Sequence, residues 1–491
     1  MEEINSANTP SVDTSSEFRR AEERVEEQSA VFKKELGLPD LVLAQILFIV
    51  GLAWVGVAGK LGPSHIVFWL LAVALFYVPS AVVVIYLNRL MPLEGGLYQW
   101  AKLGFSELVG FMVAWNLWLF VMLNTSELGL QTTNYLSYAL GPNAAWLTES
   151  KLFVTAASFT GTALLVLISM RGLGLGKWVH NAGGIIMLLI FVTLIALPLI
   201  NLARGTITEY HPLTPAMPER TLNSLNILGK MGFGALGGFE YVAILAGECR
   251  SPARTIGRSV MIAAPLIALM FILGTSSVLA FVQPGDIDLI GPIPQVLSLG
   301  FRSFGPVVYI VSLAIIMMLA LRFAQASVTF TAVTRLPMVA GWDKLMPQWF
   351  TRLHARHKTP VNSIIIAGAI TLGLAFVSLV GVGQQEAFQL LFNAGGIFYA
   401  LTYLVMFAIP LFGLKSLKEP PPAWLRIVAL SGFLMTVLYV ALSVFPIIKV
   451  TSNASFTLKI TAIIVVSNVV GAGIYIVAGR RRRANGVEQS V

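Results

Sequence analysis

Four ionisable side chains stand in stretches apolar enough to lie in a membrane, and they are where chemistry is to be sought. Glu240 closes the run Met231-Gly-Phe-Gly-Ala-Leu-Gly-Gly-Phe-Glu240, which holds Gly232, Gly234, Gly237 and Gly238. Lys230 stands immediately before that run, Arg322 lies in Met317-Met-Leu-Ala-Leu-Arg322-Phe-Ala-Gln-Ala326, and Glu127 ends the polar run Asn124-Thr-Ser-Glu127. A charge at bilayer depth costs at least about 2.5 kcal/mol and faces protein or a water-filled cavity. Each glycine in a helix interior costs about 1 kcal/mol relative to alanine. A chain that accepts both costs in one place does so for one of two reasons. Small residues let membrane helices pack closely, or the helix is interrupted at mid-membrane and its freed peptide groups line a site for a small polar solute.

Other chemistries find no residues. The single cysteine, Cys249, excludes an intramolecular disulfide and a zinc-thiolate cluster. His354 and His357 form a short pair in a basic loop with no acidic residue at ligand spacing, so they read as solvated. No paired catalytic carboxylates, nucleophile with base, or phosphate-binding glycine loop is visible, which argues against an enzyme and against any cofactor.

The elements that must position these side chains are membrane spans. Of 491 residues 56% are hydrophobic and 12% charged, against about 25% charged in a soluble chain. A crossing helix needs about 20 apolar residues, and twelve segments qualify: 41–61, 66–87, 106–138, 152–170, 178–201, 222–245, 259–282, 307–331, 362–382, 387–412, 424–444 and 456–477. The chain is therefore read as an all-α polytopic membrane protein with twelve transmembrane helices. The third segment exceeds one crossing, so it is either tilted or extends beyond the bilayer.

The net charge of +9 follows from topology rather than from a nucleic-acid partner. With both termini cytoplasmic, 24 of the 33 Lys and Arg collect on the cytoplasmic side and seven on the other, with Lys230 and Arg322 inside spans. That bias sets the orientation. Arg480 to Arg483 follow the last span at the position of a lipid-headgroup anchor. Residues 1–38 are polar and mixed in charge, as in a disordered cytoplasmic tail, and no apolar leader opens the chain, so the first span is expected to direct insertion. The remaining organisation is a core over 39–415, two further helices over 416–479 that either support packing or form a dimer contact, and a basic tail over 480–491.

Span one carries its own interruption signal, Val50-Gly51-Leu52-Ala53-Trp54-Val55-Gly56. Interrupted spans one and six, five apart in order, are what a five-plus-five inverted repeat produces. Between spans two and three stands Pro92-Leu-Glu-Gly95-Gly96-Leu-Tyr98, followed by Gly104-Phe105, Gly110-Phe111 and Trp115. This resembles the Pro-x-x-Gly-Gly-x-Tyr signature of the amino acid–polyamine–organocation transporters. Gly238-Phe239-Glu240 with Glu248, Pro252 and Arg254 to Arg258 resembles the family's passage after span six. Thr334-Arg335, Leu345-Met-Pro347 and Thr359-Pro360 resemble its loop after span eight. The resemblance covers about residues 40 to 415, with the motifs in order.

That resemblance implies a bundle in which broken helices one and six grip a substrate. The carboxylate is expected at Val50, Gly51 and Leu52, and the α-ammonium at freed carbonyls near Phe233, Gly234 and Ala235. Two departures stand out. The family's Gly-x-Gly at the first break is missing, and Gly234 replaces a gating aromatic, leaving either a wider pocket or gating by Phe233. By the same alignment Arg322 and Ala326 fall near the span-eight position where sodium-coupled relatives of the fold hold an ion. A guanidinium keeps its charge at physiological pH and offers five donors, so Arg322 either substitutes for that sodium, or snorkels or pairs with Glu240. Glu240 itself would bind a proton, pair with a cation, or hydrogen-bond freed backbone. Asn124 faces the pocket or the outer water boundary, and Glu127 would suit a cationic substrate group. Met187 stands where some proton-coupled members place a lysine. The expected activity is sodium-independent exchange of amino acids or related amines across a cell membrane, with proton symport, uniport, a channel or a sensor as alternatives.

Overall fold

The computed structural model describes residues 37–91, 96–171, 176–213, 215–240, 252–305, 308–339, 348–354, 359–413 and 421–484. Outside them lie most of the amino-terminal tail, Pro92 to Gly95, the passage from Tyr241 to Ser251 with Glu248 and Cys249, Leu345 to Pro347, His357, Pro420, and the end of the basic tail. The described chain is all helical, with no strand among those residues.

Local sequence sets where the helices start. Helix α1, Leu38–Ile49, opens with Pro39 in its first turn, where a missing N–H costs nothing. Asp40 reaches back to accept from the Gly37 N–H at 2.8 Å. After the break comes α2, Trp54–Gly59. Helix α3, Gly62–Leu90, includes one π turn at Val73–Tyr77. A short surface helix, α4, Leu97–Gly104, follows. Ser106 caps α5, Glu107–Leu140. Then come α6, Lys151–Arg171, and α7, Gly176–Ala203. Helix α8, Leu222–Gly229, is capped by Thr221 and passes into a π segment, Lys230–Gly234. The rest are α9, Pro252–Leu279; α10, Pro292–Gly300; α11, Val308–Val339; α12, Val361–Ser378; α13, Gln384–Phe412; α14, Ala423–Leu442; and α15, Asn453–Ala484.

Ten of these helices are long and apolar enough to cross a membrane, and the protein is a multi-pass membrane protein. The two other segments expected to cross, 41–61 and 222–245, are the ones the fold divides into short pieces. The long third segment is one helix with a turn at Glu127, splitting it into Glu107–Ser126 and Leu128–Leu140. The last helix runs to Ala484, so Arg480 to Arg483 stand on its final turn.

Burial separates centre from periphery. The most apolar windows of α5 and α13 are 67% and 61% buried within the protein, against 11% for α15. Helix α13 packs on the first half of α5, α1 lies between α7 and α9, and α11 leans on both halves of α5. Small residues permit the closest approaches. A Cβ on Gly395 would sit 3.2 Å from Leu123 Cβ, and one on Gly184 would sit 2.6 Å from the Leu43 carbonyl.

Candidate functional site

Both expected interruptions are present, with a register that physical accounting explains. In span one, Gly51 N–H bonds to the Ile49 carbonyl at 2.9 Å instead of reaching back to Leu47. The released Leu47 carbonyl is taken by Gln325 Nε2 of α11 at 2.6 Å. The amides of Val50 and Gly51 therefore have partners, while those of Leu52 and Ala53 have none among the described residues. The free donors are thus Leu52, the last of the three expected residues, and Ala53, one residue beyond them.

In span six, Phe233, Gly234 and Ala235 do not form the break. Lys230–Gly234 is a π turn, and the chain leaves helical geometry at Gly237–Gly238. Gly238 takes φ +132°, a conformation that glycine alone adopts readily. Its N–H bonds to Tyr403 Oη at 2.6 Å, so the carbonyl of Gly234 loses its helical donor. The Phe233 carbonyl is occupied by Gly237 N–H at 2.9 Å. Of the three expected carbonyls, that of Phe233 is occupied, while those of Gly234 and Ala235 accept no backbone bond among the described residues.

The breaks open on a cavity of about 180 Å³. Val50, Gly51, Leu52, Phe233, Gly234, Asn124 and Arg322 all line it, together with Ala53, Trp54, Glu127, Gln131, Gln325 and Tyr399. Ala235, Ala326 and Glu240 do not line it; both alanines are fully buried in helix contacts. Glu240 stands one residue beyond the wall, its two oxygens accepting from the hydroxyls of Tyr399 and Tyr403.

Two aromatic side chains shape the cavity at the breaks. Trp54, three residues after Gly51, lays its indole across both breaks and lies 4.5 Å from Phe392 in ring centroid distance. A Cβ on Gly51 would meet its Cδ1 at 2.6 Å, and one on Gly234 would collide with its six-membered ring. The aromatic missing from helix six is thus supplied by helix one. Phe233, the alternative gate, packs at 4.8 Å from Tyr439 and 5.1 Å from Tyr403 and is 1% exposed. It forms wall, not lid. The signal for Trp54 was in the sequence, one helical turn past a mid-membrane glycine.

Arg322 is fully held on one side. Its Nε donates to Gln131 Oε1 at 2.8 Å, and Nη2 donates to the Asn124 carbonyl and side-chain oxygens at 3.0 and 2.7 Å. Gln131 in turn donates to Glu127 Oε2 at 3.3 Å. The Gln131 amide therefore bridges guanidinium and carboxylate, and Arg322 neither snorkels nor pairs with Glu240. Arg322 Nη1 has no partner among the described residues and remains available to the cavity.

Above this cavity lies a wider one of about 940 Å³, on the side of the bundle bearing Lys151 and Lys449. Ile290 lines both and separates them. Its segment is latched by Asp288, which accepts from Asn134 at 2.6 Å, Tyr138 at 3.0 Å, Gln385 at 2.6 Å and the Ile290 N–H at 2.8 Å. Hydrogen bonds to a charged acceptor are worth about 1.5–3 kcal/mol each. Asp288→Ala, built with Val121→Cys in a Cys249→Ser background, is accordingly expected to speed labelling of that cysteine by an impermeant maleimide at least about tenfold. An unchanged rate would mean that Asp288 does not hold the partition shut.

Comparison with known proteins decides the family. The amino acid permease family matches residues 37–469. The chain belongs to the amino acid permease family. An uncharacterized transporter of Legionella pneumophila is 22% identical over 391 residues, covering 79% of this chain and 83% of the relative. A probable agmatine/putrescine antiporter, AguD of Lactococcus lactis, is 20% identical over 430 residues, covering 87% of this chain and 88% of the relative. The crystal structure of MhsT in complex with L-phenylalanine shares the fold, with TM-score 0.54, 15% identity and coverage of 84% of this chain and 98% of that one. This permease is a transporter and not an enzyme.

Proposed function

We propose that this permease moves amino acids or related amines across a cell membrane by alternating access, as a sodium-independent exchanger. The observation that carries the reading is the meeting of two interrupted helices on one small cavity with a fixed guanidinium beside it. Free amides at Leu52 and Ala53 suit a carboxylate, and the freed Gly234 carbonyl suits an ammonium. Arg322, on α11 (span eight), supplies permanent positive charge facing span one, where a sodium ion would otherwise be needed. Exchange is supported by a named antiporter among the relatives.

The architecture that goes with this is twelve crossings, ten of them forming a five-plus-five inverted repeat over 39–415 with helices one and six broken. The Lys and Arg distribution supports cytoplasmic termini, and the cell membrane is the compartment that goes with this reading. The outlying α15 is the surface for lipid or a second copy, whereas α14, expected to serve only packing or dimer contacts, brings Tyr439 to the cavity wall.

Uptake into proteoliposomes tests the reading. Each of the twenty protein amino acids, agmatine and putrescine would be supplied radiolabelled outside, with and without the same solute inside. Sodium-free and sodium-containing buffer are expected to give equal rates, and internal solute is expected to accelerate entry at least about tenfold. Loss of transport without sodium would remove the role given to Arg322. Equal rates with empty vesicles would remove exchange.

A further inference from the structure

Lys230 has no part in the cavity, yet it is the most deeply buried cation in the described chain at 1% exposure. Its Nζ donates to Asn393 Oδ1 at 2.7 Å and to Ser443 Oγ at 3.3 Å, and lies 5.7 Å from the centre of the Tyr439 ring. All three partners are neutral, and no carboxylate pairs with it among the described residues. An ammonium removed from water normally recruits a counter-charge. Here it has none.

The surroundings instead serve two protonation states. A charged amine has three protons to donate; Asn393 and Ser443 accept two, and the Tyr439 face receives the positive end. A neutral amine presents a lone pair and needs a donor. One buried donor beside it is without a partner among the described residues, Asn393 Nδ2. Rotation of the Asn393 amide turns that donor toward the nitrogen. Asn226 Oδ1, four residues earlier on α8 and also buried without a partner, stands ready as a further acceptor.

Position links this amine to the solute. Tyr439 is a wall shared by both, lining the cavity while its ring faces Nζ. Lys230 also opens the π segment whose Phe233 and Gly234 line the cavity. A π turn holds one residue more than an α turn, so movement of this segment around a solute shifts Nζ against Asn393 and Ser443. Ionisable groups on the elements packed against it are Tyr439 and Arg426 on α14, Glu386, Tyr399 and Tyr403 on α13, and His65, Tyr77, Tyr86 and Arg89 on α3. Of these, Tyr439 alone touches the amine.

We propose that Lys230 takes up a proton from one side of the membrane and releases it to the other during the transport cycle, binding it on the far side of Tyr439 from the solute. The inference rests on the alternating-access reading but not on exchange being obligatory. Solute entry then moves protons with it, and the fixed charge of Arg322 does not substitute for that movement.

The test uses the full chain in sealed proteoliposomes containing the pH dye pyranine. The same amino acids, agmatine and putrescine are added outside singly, at equal initial pH. For a transported solute the wild type is expected to change the internal pH. Lys230→Gln and Lys230→Arg, which fix the site neutral and charged, are both expected to abolish that change while exchange of labelled solute persists. A merely structural lysine would lose exchange and folding in Lys230→Gln and keep both, with proton movement, in Lys230→Arg. Solute uptake by the wild type without any pH change overturns the proposal, as does a pH change in Lys230→Gln equal to the wild type. Transport of none of these solutes would overturn the transport reading and this inference with it.

Discussion

Replacing Gly234 with leucine is expected to weaken solute binding at least about a hundredfold while leaving the protein folded and inserted. A Cβ at this position falls within the ring of Trp54, with Cζ3 and Cζ2 at 2.8 and 2.9 Å. The indole cannot retreat, because Phe392 stands 4.5 Å away and the Gly51 backbone closes its other edge. It can only swing into the cavity, and the leucine side chain follows. Overpacking of this kind costs about 1–3 kcal/mol, which a bundle of this size survives. The loss of about 180 Å³ of binding space is what the solute would feel.

Gly51→Leu should behave in the same way, since its Cβ would sit 2.6 Å from the other end of the same ring. Gly373→Leu is the control, because nothing lies within 4 Å of its Cβ position. Equilibrium binding of a solute found by the uptake panel, with thermal unfolding measured beside it, gives the answer. Combining Gly234→Ala with Trp54→Ala should recover part of the binding lost in Gly234→Ala alone. Unchanged binding in both leucine variants would move the site elsewhere.

These glycines mark how far the sequence could be read. Helix interruption in spans one and six was legible because glycine and a carboxylate at membrane depth both carry a cost that only a site or tight packing repays. The register was not legible. Four glycines between Met231 and Glu240 make several break points nearly equal in local energy, and the choice fell to Gly238, whose N–H finds Tyr403. That partner is 165 residues away in the chain. Arg322 shows the same limit. Its position implied a cavity, but its partners Gln131 and Asn124 lie 191 and 198 residues distant. The pairing with Glu240 weighed from sequence does not occur, because two tyrosines of α13 reach that carboxylate first. Trp54 teaches a narrower lesson. Counting the aromatic missing from helix six suggested a wider pocket, whereas a neighbouring helix filled the space from its own first turn.

Arg322→Gln is expected to stop transport and to destabilise the protein by about 3–5 kcal/mol, the usual cost of removing one partner from a buried charged network. The reason lies in the chain of contacts from Asn124 through Arg322 and Gln131 to Glu127. Removing the guanidinium strands a carboxylate that is 1% exposed and frees an amide that had one acceptor engaged. Glu127→Gln added to Arg322→Gln removes the buried carboxyl left without its neighbouring cation, so the double variant should be more stable than Arg322→Gln alone by at least about 1 kcal/mol, a coupling typical of residues in one network. Transport should not return with stability, because the double variant still lacks the fixed positive charge beside the helix-one break. Thermal unfolding in detergent reads the first quantity and proteoliposome exchange reads the second. Arg322→Lys sharpens the separation. It keeps a charge, but a single ammonium cannot span Gln131 and both oxygens of Asn124 in the planar geometry that a guanidinium offers. If the charge alone matters, Lys restores exchange; if the held geometry matters, it restores stability only in part and exchange hardly at all. Full exchange in Arg322→Gln would show that the guanidinium serves packing and that cation replacement must be sought elsewhere in the bundle.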